Sequence, residues 1–237
     1  MFAITPVTYA EMKPGDREVS EEDLAPRSIW TSDLNGANLS GRVLSERNYS
    51  GRSFIGANLS GAKITQVQLS YANLSSANLI GADVSWSNLE YANLTDADLT
   101  DASLDVAILD EVSFHRAKLV RGTMRRSSLR GADLTGADLS EANLYNSDLS
   151  DANLSRANAS NASAVNTIFK GANLSQCDFS GADLSEAYLV GGNLTNANLM
   201  DVNLTNANLT NANLTNANLT NANLTGAKLN GVLGYSP

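Results

Sequence analysis

From Leu34 to Leu229 every fifth residue is apolar, 40 positions in unbroken register. Thirty of these centres are Leu; the other ten are Tyr49, Phe54, Ile64, Val84, Phe114, Met124, Ala159, Ala164, Phe169 and Phe179. Two residues before each centre lies a second restricted position, which is Ala in 26 cases and otherwise mostly Ser, Val, Gly, Thr or Cys. The stretch from Thr205 to Leu224 states the pattern in its purest form, TNANL four times in succession. An α-helix cannot use a period of five, because residues five apart on it point about 140° away from each other. Two apolar residues separated by one polar residue fit a short extended segment, whose side chains alternate in and out. The other positions must face solvent and turn the chain, and they are rich in Gly, Asn, Asp and Ser, the residues that favour turns. Each pentapeptide is then one side of a coil. Segments this short cannot form a sheet alone, so the coils must stack about 4.8 Å apart with backbone hydrogen bonds between them.

An uninterrupted run of A(D/N)LXX units resembles the pentapeptide-repeat family. The resemblance implies a right-handed, quadrilateral parallel β-helix with four pentapeptides per coil, an all-β solenoid of about ten coils here. Residue n would then lie beside residue n+20. On that mapping Phe169 and Phe179 refill the interior space left by the undersized centres Ala159 and Ala164, keeping the core volume constant. The predicted organisation is a cap over residues 1–31, the β-helix over 32–230 and a tail over 231–237. The first segment carries no repeat; Pro6, Pro14, Gly15 and Pro26 break it up, and Ser20 is placed to cap a short helix. It reads either as the cover that a solenoid needs on an open end or as a partner-binding arm. Val232, Leu233 and Tyr235 are expected to fold over the last coil.

Charge changes the picture at two places. Arg42, Arg47 and Arg52 occupy three successive small positions. Burying unpaired charge is costly, so their guanidiniums are expected to reach out of the first coils or to pair with Glu46 or Asp23, for stability or for a ligand. Further along, Asp96, Asp98, Asp101, Asp105 and Asp110 each precede a base by 20 residues: Arg116, Lys118, Arg121, Arg125 and Arg130. Four-sided stacking makes these side-by-side ion pairs, continued by Asp138 above Lys118 and Glu141 above Arg121. The basic run is thereby explained without a phosphate or nucleic-acid site. Arg126 is the exception, with Val106 before it and Asn146 after it. A net charge of −9 disfavours direct contact with nucleic acid or with an anionic membrane, and no stretch is long and apolar enough for a membrane span.

Little chemistry is available for catalysis. One Cys and one His permit neither a disulfide framework nor a Cys/His metal cluster within the chain. Cys177 sits at a small inward position and reads as packing. His115 follows a centre and has no nucleophile in a catalytic arrangement nearby. The glycines fall singly at turns rather than in a phosphate-binding loop. A Leu-filled interior leaves no space for a small-molecule substrate, so no enzyme, no cofactor and no metal are expected. What the repeats leave on the surface is more informative. Under n+20 stacking Tyr71 and Tyr91 share one corner, and Trp86 and Val106 share the next. Ile108, Ile168 and Tyr188 share an outward column between them, with Val190 close by and Glu90, Asp110 and Glu111 at the edge. The candidate interaction residues are Tyr71, Trp86, Tyr91, Val106, Ile108, Glu111 and Arg126. A contiguous patch of this kind marks an interface; scattered surface residues are the other reading. From Thr195 to Thr225 the outward residues are nearly all Asn and Thr, which would form stacked ladders.

Within the family, the short non-repeated start, the unbroken register and the TNANL tail resemble the regulators of heterocyst differentiation in cyanobacteria. That resemblance implies a non-catalytic protein that contacts another protein, a transcription regulator, and counters an inhibitory peptide signal. The start MFAITPVTYAEMKPG, with no basic residues at its head and no apolar core of signal length, leads to the expectation of a cytoplasmic location. Two alternatives stay open. One is a DNA mimic that inhibits a type II topoisomerase, which requires a continuous acidic surface. The other is a purely structural spacer. Sequence gives neither the partner nor the oligomeric state.

Overall fold

The computed structural model describes residues 33–235, so the expected cap over 1–31, with Ser20 and Asp23, lies outside the described residues. Every β-bridge among them is parallel and joins residues 20 apart, from Asn38↔Asn58 to Asn213↔Leu233. Four pentapeptides therefore complete one coil. The interior is a single apolar cluster of the centres and the small residues, from Leu34 to Leu214, nearly all 0–2 % exposed.

The unit around Leu74 shows how the sequence makes a side and a corner. Ala72 and Leu74 point inward and are 1 % exposed each, while Asn73 between them forms the bridges. The Asn73 N–H donates to Arg52 O of the coil below, at 2.9 Å, and Leu74 N–H to Asn93 O of the coil above, at 2.7 Å. The corner is a four-residue turn closed by Ala77 N–H donating to Leu74 O at 3.0 Å. The Asn73 side chain completes it, its Oδ1 accepting Ser75 N–H at 3.1 Å. This is why Asn or Asp precedes the centre: its carbonyl or carboxylate oxygen holds the N–H of the residue two further on. A Thr after the centre adds its hydroxyl to the same oxygen, as Thr195 Oγ1 does to Asn193 Oδ1 at 2.6 Å.

The second residue after each centre, from Gly36 to Gly231, has a positive φ, between +54° and +73°. That left-handed geometry is easy for Gly and tolerable for Asn and Asp, and it disfavours bulky or β-branched side chains. Gly131 shows a further use of glycine at such a corner: a Cβ there would stand 2.5 Å from Oε1 of Glu111, so the glycine lets that carboxylate lie across the next coil.

Inside, Phe169 and Phe179 meet edge to face with centroids 6.1 Å apart, and both are fully buried with Ala159 and Ala164. The expected compensation of volume is present. Small polar residues at inward positions are satisfied by backbone. Ser87 accepts Val67 N–H at 3.0 Å and donates to Ile64 O at 2.6 Å, replacing the direct hydrogen bond of that corner. Ser127 also bonds Ala107 N–H and Leu104 O, at 3.2 and 2.6 Å, and there the direct Ala107 N–H to Leu104 O bond persists at 3.3 Å. The Cys177 thiol faces Leu154 O, and burial pushes it up to about 12. Asn ladders run along the sides, for example Asn193 Nδ2 to Asn173 Oδ1 at 3.3 Å and Asn218 Nδ2 to Asn198 Oδ1 at 3.1 Å.

For Arg52 the first of the two expected alternatives does not hold. Arg52 does not reach into solvent; it is 5 % exposed, with its guanidinium carbon 5.4 Å from the centre of the Tyr49 ring. The aromatic centre supplies a negative ring face for the cation, which a Leu centre would not. Arg42 and Arg47 are half-buried. At the other end Leu233 continues the ladder through Asn213 and stays exposed, whereas Val232 and Tyr235 pack on the core.

Candidate protein-interaction surface

The charge ladder links two successive coils. Arg116 binds both carboxylate oxygens of Asp96, at 2.7 and 2.6 Å, and Arg121 binds both of Asp101, at 2.7 Å each. Asp105 accepts the Arg125 backbone N–H at 2.8 Å and its Nε at 2.9 Å, and Lys118 reaches Asp98 at 3.5 Å. Hydrogen bonds from Arg116 and Arg121 hold Asp96 and Asp101 below the usual carboxylate range. For Asp105 burial acts upward, and the Arg125 side-chain and backbone bonds outweigh it, so the net direction is again down.

The fifth rung differs from the expectation. Arg130 Nε bonds to Asp148 of the coil above at 2.6 Å, while Asp110 accepts Ser128 Oγ and the Arg130 backbone N–H. With Asp110 already held by two donors, the long guanidinium finds the carboxylate 18 residues further on. The ladder also stops short of the acids above Lys118 and Arg121. Asp138 instead accepts Asn158 Nδ2 at 3.0 Å and Ser140 N–H at 3.1 Å, and Glu141 acts on Arg121 only through space.

The aromatic groups lie on the side between the Trp86 corner and the Tyr91 corner. Tyr71 and Tyr91 stack with centroids 4.9 Å apart and planes 11° apart. Trp86 is 63 % exposed and Tyr71 66 %, so neither is held mainly by core packing. Ile108 bridges Asn88 and Ser128 on the side itself and is exposed. Val106 is only half-buried against the rod rather than fully outward. Ile168 and Tyr188 are bridged to each other, but Ser128 and Asp148 separate them from Ile108 in the same column. Val190 is half-buried. The apolar surface is thus split: a main cluster of Trp86, Val106, Ile108, Tyr91 and Tyr71, and a smaller one of Ile168 and Tyr188 further along the rod.

Four of these residues stand at the left-handed corner position: Tyr71 at φ +61°, Trp86 at +62°, Tyr91 at +59° and Val106 at +58°. At Val106 the β-branch makes the geometry least favourable. Arg126 and Glu111 occupy equivalent corner positions, at φ +58° and +55°. Arg126 forms no ion pair among the described residues and, with Asp105, Val106, Arg125 and Tyr145, lines a shallow cleft. Sequence reasoning missed Tyr145, which is exposed; it lies 20 residues after Arg125, so the stacking rule could have found it. The other exposed apolar residues Val43, Ile55, Ile80 and Met200 belong to other sides.

No catalytic grouping accompanies this surface among the described residues. His115 is half-buried at a turn, and among the described residues no cluster of three His, Cys, Asp or Glu could hold a metal. An interior void beside Tyr49 and Phe54 measures about 10 Å³, room for at most one water.

The pentapeptide-repeat family model matches eight copies within residues 32–233, nearly the whole repeated region. The chain is a pentapeptide-repeat protein. Solved structures of this family form right-handed quadrilateral β-helices, in agreement with the 20-residue bridges. HetL, a pentapeptide repeat protein involved in heterocyst differentiation regulation from the cyanobacterium Nostoc sp. strain PCC 7120, is 31 % identical. The match covers 84 % of this chain and 90 % of HetL, with a TM-score of 0.42. QnrB1, a plasmid-mediated fluoroquinolone resistance protein, has a TM-score of 0.60 at 19 % identity, over 83 % of this chain and 88 % of QnrB1; that likeness concerns the fold alone. No protein of curated function matches this pentapeptide-repeat protein significantly.

Proposed function

We propose that this protein is a non-catalytic, cytoplasmic regulator that binds another protein through the side bearing Tyr71, Trp86, Tyr91, Val106 and Ile108. About ten coils would give the partner a stiff scaffold. The observation that carries the reading is that the aromatic and β-branched residues at left-handed corners among the described residues, Tyr71, Trp86, Tyr91 and Val106, all stand at the two corners of one side. Gly and Asn serve that position elsewhere in the same chain, including Gly131, Gly171, Asn146 and Asn166. Folding alone favours those, and an unfavourable backbone state retained at a surface points to use. Trp and Tyr are also the side chains that anchor interfaces.

The finer reading is regulation of heterocyst differentiation, the process HetL is involved in, by contact with a transcription regulator and in opposition to an inhibitory peptide signal. The topoisomerase-inhibiting reading needs a continuous acidic surface, whereas Asp96, Asp98, Asp101 and Asp105 are each occupied by a base. The test begins by isolating the partner from native lysate, identifying it by mass spectrometry and measuring its affinity by calorimetry. Trp86→Ala and Tyr91→Ala should each weaken binding at least tenfold, a loss typical of an aromatic anchor, and leave Tm nearly unchanged. Asn208→Ala, on the Asn/Thr-rich end, should bind normally. Normal binding by both aromatic variants would place the interface elsewhere.

A further inference from the structure

The two corners that frame the aromatic side carry opposite charge. At the Trp86 corner stands Arg126, whose column offers Val106 below and Asn146 above; Asn146 Oδ1 is already taken by Asn166 Nδ2. Arg125 beside it is occupied by Asp105; Arg130, in the column of Glu90 and Asp110 at the opposite corner, is occupied by Asp148. Arg126 therefore keeps its donors for something outside the chain, in a cleft walled by Val106, Tyr145 and the Asp105–Arg125 ion pair. A guanidinium in a partly apolar cleft binds a carboxylate in a two-pronged geometry and more strongly than one in open water. At the opposite corner Glu90 and Glu111 make no ion pair among the described residues, and Glu90, with Tyr71, Glu111 and Asp110, raises the Tyr91 phenol above its ordinary range. That corner is electronegative. Between the two lie Trp86, Val106, Ile108 and the Tyr71–Tyr91 stack.

We propose that this side docks a partner-protein segment with a carboxylate on one edge, apolar side chains in the middle and a basic group on the other, the carboxylate seated on Arg126. The proposal rests on the protein-binding reading and adds the partner's chemistry and its orientation on the rod. A nucleic acid does not fit, since its phosphates would meet Glu90, Asp110 and Glu111 and would leave the apolar strip uncovered.

The test uses a random peptide library displayed on phage, selected against the full-length protein, with Trp86→Ala as the counter-selection. Enriched peptides should carry Asp or Glu, then two or more apolar residues including an aromatic, then Lys or Arg. Arg126→Glu should weaken the best synthetic peptide at least tenfold, the scale of a charge-assisted hydrogen bond. A peptide with that acid changed to Lys should regain affinity for Arg126→Glu, and Glu111→Lys should be rescued by the matching change of the base. Peptides that depend on Trp86 but tolerate Arg126→Glu would overturn the carboxylate assignment and leave the interaction surface standing. No enrichment over Trp86→Ala would overturn both. Self-association through this side, seen as a dimer that Trp86→Ala dissociates in sedimentation, would make a second copy the occupant and overturn the proposal as stated.

Discussion

At the scale of the residue, Val106 tests whether the surface is maintained against the preference of the backbone. It combines a β-branched side chain with φ +58°, a state that costs on the order of 1 kcal/mol or more. Val106→Asn should raise stability by about 1 kcal/mol in urea denaturation, because Asn accepts the left-handed region, and should weaken partner binding. A variant less stable than the native protein would remove the strain argument. Inward residues obey a different rule. Leu94 and Leu134 are fully buried, so replacing either by Ala should cost about 2–5 kcal/mol through the cavity left behind. Ala132→Leu should also destabilise, since the small position has no room; an unchanged unfolding midpoint would show that Ala132 does not face the interior. The inward and outward assignments were legible in the sequence because the period of five admits only one set of buried positions. Arg52 was not, because its favourable site over the Tyr49 ring arises from an aromatic centre that looks, in sequence, like any other apolar one. The left-handed corners were hidden for a similar reason: Gly and Asn announce them, but Trp86 and Val106 mask them.

At the scale of the coil, the paired columns supply the test. Asp96 and Asp101 are held below their ordinary carboxylate range, so their ionised forms favour the fold. That contribution is complete above about pH 4 and disappears as pH falls through the depressed folded value. Asp101→Asn should therefore flatten the loss of Tm on acidification from about pH 4 to pH 2; parallel curves for the native and variant proteins would dismiss the pair. A charge swap, Asp101→Lys with Arg121→Glu, should be more stable at low salt than the sum of its single changes predicts. The n+20 rule predicted four of the five rungs. It missed the fifth because backbone register fixes Cα positions, whereas an Arg side chain is long enough to choose between Asp110 and Asp148.

At the scale of the whole molecule, the fold and its contents obey different arithmetic. Each pentapeptide packs an equivalent small residue and centre inside, so the interior accepts a gain or loss of five residues at any corner. The exterior does not, because its columns repeat every 20 residues. Removing one pentapeptide from the middle of the rod would leave a filled core and turn everything beyond it by a quarter of a revolution. Aromatic groups would move to another side, and ladders would meet new neighbours. Deleting Thr135–Leu139, whose inward residues are the usual Ala and Leu, should thus yield a folded protein in which Ile168 and Tyr188 no longer stand in line with Ile108. Deleting a full 20-residue coil over the same region would keep that alignment. Circular dichroism would follow the fold, and partner affinity would follow the alignment if the second apolar group contributes to binding. Duplication by slippage is therefore read in two frames: five residues preserve the ability to fold, and only twenty preserve what the surface can recognise.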